Sequence, residues 1–130
     1  MERIEKSESE WRVVLTPEQY EVLREGATEA PFSTDLDDVE QTGTYVCAGC
    51  GAELFDSEAR YESGSGWPAF HAPVTEDVLT EEGDARDGVP RIEVRCARCD
   101  GHLGHVFPDG PRPGGLRYCI NTAALELEAR

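Results

Sequence analysis

Lysine is nearly missing from this 130-residue chain: Lys6 is the only one, and the other eleven basic residues are arginines. Against them stand 27 aspartates and glutamates, for a formal net charge of −15. Such a surface repels phosphate backbones and anionic lipids, which argues against nucleic acid and membrane as partners. Long apolar runs are missing too. None approaches the roughly 20 residues needed to cross a bilayer, and residues 1–10 are charged, without the apolar stretch of a signal peptide. A cytoplasmic location is therefore expected. Acidic residues spread along the whole chain, with so little lysine, suggest a halophilic source with a salt-rich cytosol. An ordinary acidic bacterial protein is the alternative, because charge balance reports on solvent and not on fold. Repeats and low-complexity segments are absent.

Apolar residues are also modest in number, at 38% against 30% charged. A chain of this length makes one domain and can bury roughly two-thirds of its unfolded surface. The core it builds is thin, and something beyond apolar burial is needed to hold it.

Residues 1–14 read as an N-terminal arm, followed by a single domain over 15–130. Thr16, Pro17 and Gln19 give a helix start with a capping box, and Leu15 and Tyr20 occupy the two staple positions around it. Gly26 stops that helix near 17–25. Residues 27–43 form a long surface connection. Short strands broken by Gly, Pro and Asp follow, at 44–47, 52–55, 59–62, 67–70, 91–95, 104–107, 116–121 and 123–127. The acidic segment 81–90 reads as an exposed hairpin tip.

Two C-x-x-C pairs, Cys47/Cys50 and Cys96/Cys99, are separated by 45 residues. Each follows a strand-like run and is closed by a glycine one or two residues later, which supplies the backbone angle of a tight knuckle. Four thiolates suit one tetrahedral Zn²⁺ with no open position, a structural site that staples two hairpins.

The fifth cysteine, Cys119, is left over. In Arg117-Tyr118-Cys119-Ile120-Asn121 strand alternation puts Arg117, Cys119 and Asn121 on one face and the apolar residues on the other. A guanidinium favours the reactive thiolate, although a buried structural cysteine is equally common in strands. His102 and His105, in a Gly-His-Leu-Gly-His-Val-Phe run, could serve a nucleophile or deliver a proton. They could also be metal ligands, but four cysteines already fill that shell. Ser63-Gly64-Ser65-Gly66-Trp67-Pro68-Ala69-Phe70-His71 joins a glycine-rich turn to aromatics and could shape a small apolar pocket.

Taken together, these segments resemble the methionine-R-sulfoxide reductase family, the B-type methionine sulfoxide reductases. The resemblance runs from residue 15 to about 125 through Leu15–Tyr20, Thr28–Phe32, both C-x-x-C pairs, 63–70, 101–107 with Asp109-Gly110-Pro111, and 117–121. It implies a mainly β fold of two antiparallel sheets with a short N-terminal helix, stapled by zinc on two C-x-x-C knuckles, and no organic cofactor. It implies that the Cys119 thiolate attacks the sulfoxide sulfur while His105 and His102 bind or protonate the oxygen. Asn121 would position the site. Trp67 would face the substrate methyl, with Phe70, His71, Phe107 and Arg117 as further substrate contacts. Implied partners are proteins or peptides carrying methionine-R-sulfoxide and a thiol reductant, either thioredoxin-like or small, acting on a monomer in protein repair. Many family members carry a resolving cysteine where this chain has Ser65, so a one-cysteine enzyme cleared by an external thiol is expected. A zinc-knuckle binding module and a thiol peroxidase-like enzyme are the rival readings.

Overall fold

The computed structural model describes residues 3–30, 42–61, 64, 66–85, 88, 90–111 and 114–129. Among them, nine strands form two antiparallel sheets. The smaller has the order β2-β1-β9, from Glu53–Asp56, Gly43–Cys47 and Leu125–Ala129. The larger has the order β3-β4-β8-β7-β6-β5, from Arg60–Tyr61, Ala69–Phe70, Arg117–Ile120, His102–Phe107, Arg91–Cys96 and Leu79–Asp84. No helix among the described residues is long and apolar enough to cross a membrane.

The sheets are locked together by aromatics placed on their inner faces by strand alternation. Phe55 of β2 stacks on Phe70 of β4 at 4.3 Å between ring centroids. Phe70 also meets Tyr45 of β1 edge-on at 5.1 Å, and Phe55 reaches Tyr118 of β8 at 5.9 Å. Each such pair adds about 0.5–1.5 kcal/mol beyond its area burial. Leu54, Val94, Leu103 and Ile120 complete a fully buried centre.

Two helices precede the sheets. The second, α2 at Pro17–Glu25, has the capping box and the left-handed Gly26 stop that its sequence requires, and Leu15 and Tyr20 are buried around its start. The first, α1 at Glu8–Val14, lies within the stretch expected to be an N-terminal arm. Ser7 and Glu10 form a second capping box there, and a seven-residue helix with one buried side chain carries too little apolar periodicity to announce itself. That side chain is Trp11, whose ring is met by Arg24 at 4.7 Å and Lys6 at 5.3 Å. Ile4 donates its backbone N–H to the Arg98 carbonyl at 2.6 Å, and Arg24 donates to the Cys99 carbonyl at 2.8 Å. The N-terminal segment thus lies against the cysteine knuckles.

The strand β5 also differs from expectation. Its Leu79-Thr80-Glu81-Glu82-Gly83-Asp84 run pairs along its whole length with β6, yet four of its six residues are exposed. An edge strand rich in acids resists edge-to-edge association, and the same acids hide the alternation that identifies a strand. Of the connection at 27–43, residues 31–41 lie outside the described residues.

Candidate active site

Both knuckles are built alike. In the first, Gly51 donates to the Cys47 carbonyl at 2.8 Å and Cys47 to the Ala52 carbonyl at 2.8 Å; in the second, Asp100 donates to Cys96 at 2.8 Å and Cys96 to Gly101 at 2.9 Å. The left-handed turn falls on Gly51 (φ 78°) and on Asp100 (φ 63°), so the second knuckle takes its unusual angle at an aspartate and not at the glycine expected. Aspartate tolerates that region through local hydrogen bonding. At Gly101 the constraint is space: a Cβ there would stand 2.9 Å from Leu23 Cδ2 and 3.3 Å from Cys99 Sγ, so the Leu23 side chain would have to shift.

The two turns bring Cys47, Cys50, Cys96 and Cys99 together, with all four sulfurs within 4.8 Å of one another. Cys47 and Cys99 are 3.7 Å apart and Cys50 and Cys96 3.6 Å. A regular tetrahedron with metal–sulfur bonds of about 2.3 Å has edges of about 3.8 Å. The donor set and its spacing therefore fit a metal ion, and these residues are close enough to hold one.

The candidate catalytic side chains come from the larger sheet by register. Glu82 of β5 pairs with Glu93 of β6, Glu93 with His105 of β7, His105 with Cys119 of β8, and Cys119 with Ala69 of β4. Directly paired residues point to the same face, so this row crosses the sheet on one side. A close approach of β7 to β8 permits it: a Cβ on Gly104 would overlap the Cys119 carbonyl oxygen.

A cleft of about 320 Å³ opens over the row, lined by Thr28, Trp67, Arg91, Gly104, His105, Phe107, Arg117, Cys119 and Asn121. Cys119 is half-buried, and the Arg117 guanidinium donates to its sulfur at 2.7 Å. The same guanidinium lies over the Phe107 ring at 4.6 Å and grips Asp109 with two bonds of 2.7 and 3.0 Å. The bond to Asp109, and after it the charge on Cys119, raise Arg117 above its ordinary value against the effect of burial. Arg117 therefore stays cationic beside the sulfur.

Glu29 clasps the cleft wall. Its backbone N–H donates to Asn121 Oδ1 at 3.0 Å, its carbonyl accepts from Trp67 Nε1 at 3.0 Å, and its carboxylate accepts from the Ala123 N–H at 3.0 Å. Asn121 Nδ2 is anchored in turn on the Leu103 carbonyl at 3.0 Å. Glu29 thus holds Trp67 and Asn121 from outside the strands that carry the row, while β7 anchors Asn121 from within.

Of the expected site residues, the structure brings Cys119, His105, Asn121, Trp67, Phe107 and Arg117 to one cleft. Phe70 is a correction: its ring is fully buried between Phe55 and Tyr45, because β4 turns it into the core. His71, half-buried, and His102 are not among the cleft-lining residues. His102 lies buried beneath, its ring centroid 5.5 Å from that of His105, with Nδ1 against Glu93 at 2.6 Å. Ser65 and Ser63 lie outside the described residues. Thr28, Glu29, Arg91 and the carboxylates of Asp84 and Glu93 were not anticipated. Only the resemblance at 28–32 pointed toward the first two.

Fold and cleft define a two-sheet β protein with a four-cysteine cluster close enough to hold a metal at one place and a cysteine–arginine–histidine cleft at another. The SelR domain matches residues 15–129. Over 129 residues the chain is 57% identical to a protein of Bradyrhizobium diazoefficiens named peptide methionine sulfoxide reductase MsrB, covering 99% of this chain and 93% of the relative. Proteins of the same name from Leptospira interrogans (53% over 125 residues; 96% and 95% covered) and Pseudomonas fluorescens (52% over 130; 100% and 99%) are similarly related. The chain belongs to the MsrB family of peptide methionine sulfoxide reductases.

Proposed function

We propose that this protein reduces the R epimer of methionine sulfoxide in oxidised peptides and proteins, with Cys119 as the nucleophile. The observation that carries the reading is the 2.7 Å bond from Arg117 to the Cys119 sulfur inside a cleft walled by Trp67 and Phe107. A cation at hydrogen-bond distance favours thiolate, the attacking form. An aromatic wall suits the methyl and thioether of the substrate.

The Cys119 thiolate attacks the sulfoxide sulfur, and the oxygen takes a proton from His105, the histidine at the cleft. The ring of His102 packs behind it. The S–O bond is cleaved as the oxygen passes to Cys119, so methionine leaves reduced and Cys119 is left as sulfenic acid. One external thiol then condenses with the sulfenic acid, releasing water and leaving a mixed disulfide. A second thiol attacks that disulfide and restores Cys119. Five cysteines, four of them in the knuckles, leave no partner for an internal disulfide with Cys119. The reductant is accordingly a thioredoxin-like protein or a small thiol. Cys47, Cys50, Cys96 and Cys99 would hold Zn²⁺, which supplies folding stability and no step of the reaction. The enzyme acts as a monomer in the cytoplasm, in repair after oxidative stress.

The test is turnover of a peptide carrying separated R and S epimers, with dithiothreitol as reductant. Consumption of R alone, lost in Cys119→Ser with fold and metal retained, is expected. Turnover of neither epimer by folded, zinc-loaded protein would point to a binding module, and preferential reaction with peroxide to a thiol peroxidase.

A further inference from the structure

Beneath the cleft lie two carboxylates that the reaction as written does not use. Asp84, at the end of β5, is only 8% exposed, and Glu93, on β6, only 5%. Burying an ionised carboxylate is unfavourable unless it is paired and hydrogen-bonded, so each needs a partner. Asp84 Oδ2 lies 2.9 Å from His105 Nε2, and Glu93 Oε2 lies 2.6 Å from His102 Nδ1. Arg95 backs Glu93 at 2.9 Å.

The two histidines are therefore held through opposite ring nitrogens. An ionised carboxylate accepts, so the ring nitrogen facing it carries hydrogen. For His105 that nitrogen is Nε2, and for His102 it is Nδ1. Only His105 reaches the cleft, so the fixing of its ring has a chemical consequence.

Building on the reading of the preceding section, we infer that Asp84 is a positioning residue for sulfoxide reduction. It sets the rotamer of His105 by accepting from Nε2–H and aims Nδ1 at the substrate oxygen. The proton delivered there is the Nδ1 proton of the doubly protonated ring, while Nε2–H stays with Asp84. Asp84 is placed to do this by register. It faces the same side of the sheet as Glu82, two residues earlier on β5, and Glu82 stands in the row that contains His105 and Cys119. Its side chain reaches past β6 to the histidine from the edge strand. Asp84 touches no reacting atom.

The test separates this role from a structural one. A positioned proton donor contributes about 10²–10⁴-fold, and a misplaced ring gives up part of that. Asp84→Asn should slow single-turnover methionine formation by about 10- to 100-fold. Substrate KM, bound zinc and the alkylation rate of Cys119 by iodoacetamide should stay within about twofold, and Asp84→Glu should recover part of the rate. Equal loss of zinc, alkylation and turnover in both variants would make Asp84 a structural residue only and overturn the assignment. So would unchanged turnover in Asp84→Asn.

Nitrogen-15 NMR of the unmodified protein gives a check that no folding defect can obscure, since the chain has three histidines. His105 should carry hydrogen on Nε2 and His102 on Nδ1; a neutral His105 with hydrogen on Nδ1 alone would overturn the inference. A wild-type enzyme inactive on R sulfoxide would instead undo the functional reading, a result distinct from all of these.

Discussion

Arg117 donates to the Cys119 sulfur with Nη1 while Nε and Nη2 hold the two oxygens of Asp109, so one guanidinium joins an exposed carboxylate to the thiol of the cleft. A planar fork with five donors can do this, and a lysine could not. Hydrogen bonds to charged groups are worth about 1.5–3 kcal/mol. Arg117→Met should therefore slow iodoacetamide alkylation of Cys119 at neutral pH by roughly tenfold or more. Asp109→Asn, which leaves the Nη1 contact in place, should have the smaller effect. An unchanged rate in Arg117→Met would remove the guanidinium from thiol activation.

The approach of β7 to β8 gives a second expectation. Because a Cβ on Gly104 would overlap the Cys119 carbonyl, Gly104→Ala must push the strands apart where His105 faces Cys119. Overpacking of this kind destabilises by about 1–3 kcal/mol. Turnover should fall further than the melting temperature suggests, since the row is displaced along with the backbone. Thermal unfolding and turnover measured on one preparation decide it.

Metal removal should act on folding. Cys50→Ser should lose metal and melt at much lower temperature, and a strong chelator should unfold the wild type. Metal content by elemental analysis and circular dichroism are the readouts. A well-folded, metal-free variant would show that the aromatic core suffices alone.

The buried pair at Glu93 predicts a pH response. Burial alone would raise its carboxyl, but hydrogen bonds from Arg95 and His102 outweigh burial and hold it below the ordinary carboxylate range. A depressed folded-state value contributes stability that is present above the ordinary value of about 4.3 and is lost as pH falls below it. Acid denaturation of wild type should thus be steeper below about pH 4 than that of Glu93→Gln. The two proteins are to be compared at matched metal content, because the cysteine ligands also protonate.

A net charge of −15 sets the salt dependence. If the charge reflects a salt-rich cytosol, screening of self-repulsion should raise the melting temperature as KCl rises to molar levels. A flat response across that range would mark an ordinary acidic protein.

Much of this was legible in the residues. The helix start at Thr16-Pro17, its stop at Gly26 and the two C-x-x-C turns were readable because each is a local rule with a local cause. Cys119, Arg117 and Asn121 were placed on one face by the same two-residue period. What was not legible depends on neighbours distant in sequence. The strand β5 is a strand because β6 pairs with it. The acid Asp84, read as part of an exposed tip, is buried because a histidine 21 residues later bonds it. Phe70 was assigned to the cleft because its motif is aromatic, but which way a two-residue strand turns its side chains is set by the sheet and not by the motif. Glu29 needed the third dimension entirely, as its partners lie 38 to 94 residues away.

The row from Glu82 to Ala69 runs across five strands instead of along one. Its spacing is set by the repeat of about 4.8 Å between neighbouring strands, a constant of backbone geometry that hairpin loops do not influence. Lengthening a loop between these strands leaves the chemistry aligned, whereas deleting one residue inside β7 rotates its side chains to the opposite face. The alignment of the row is thus robust to insertion and fragile to frame.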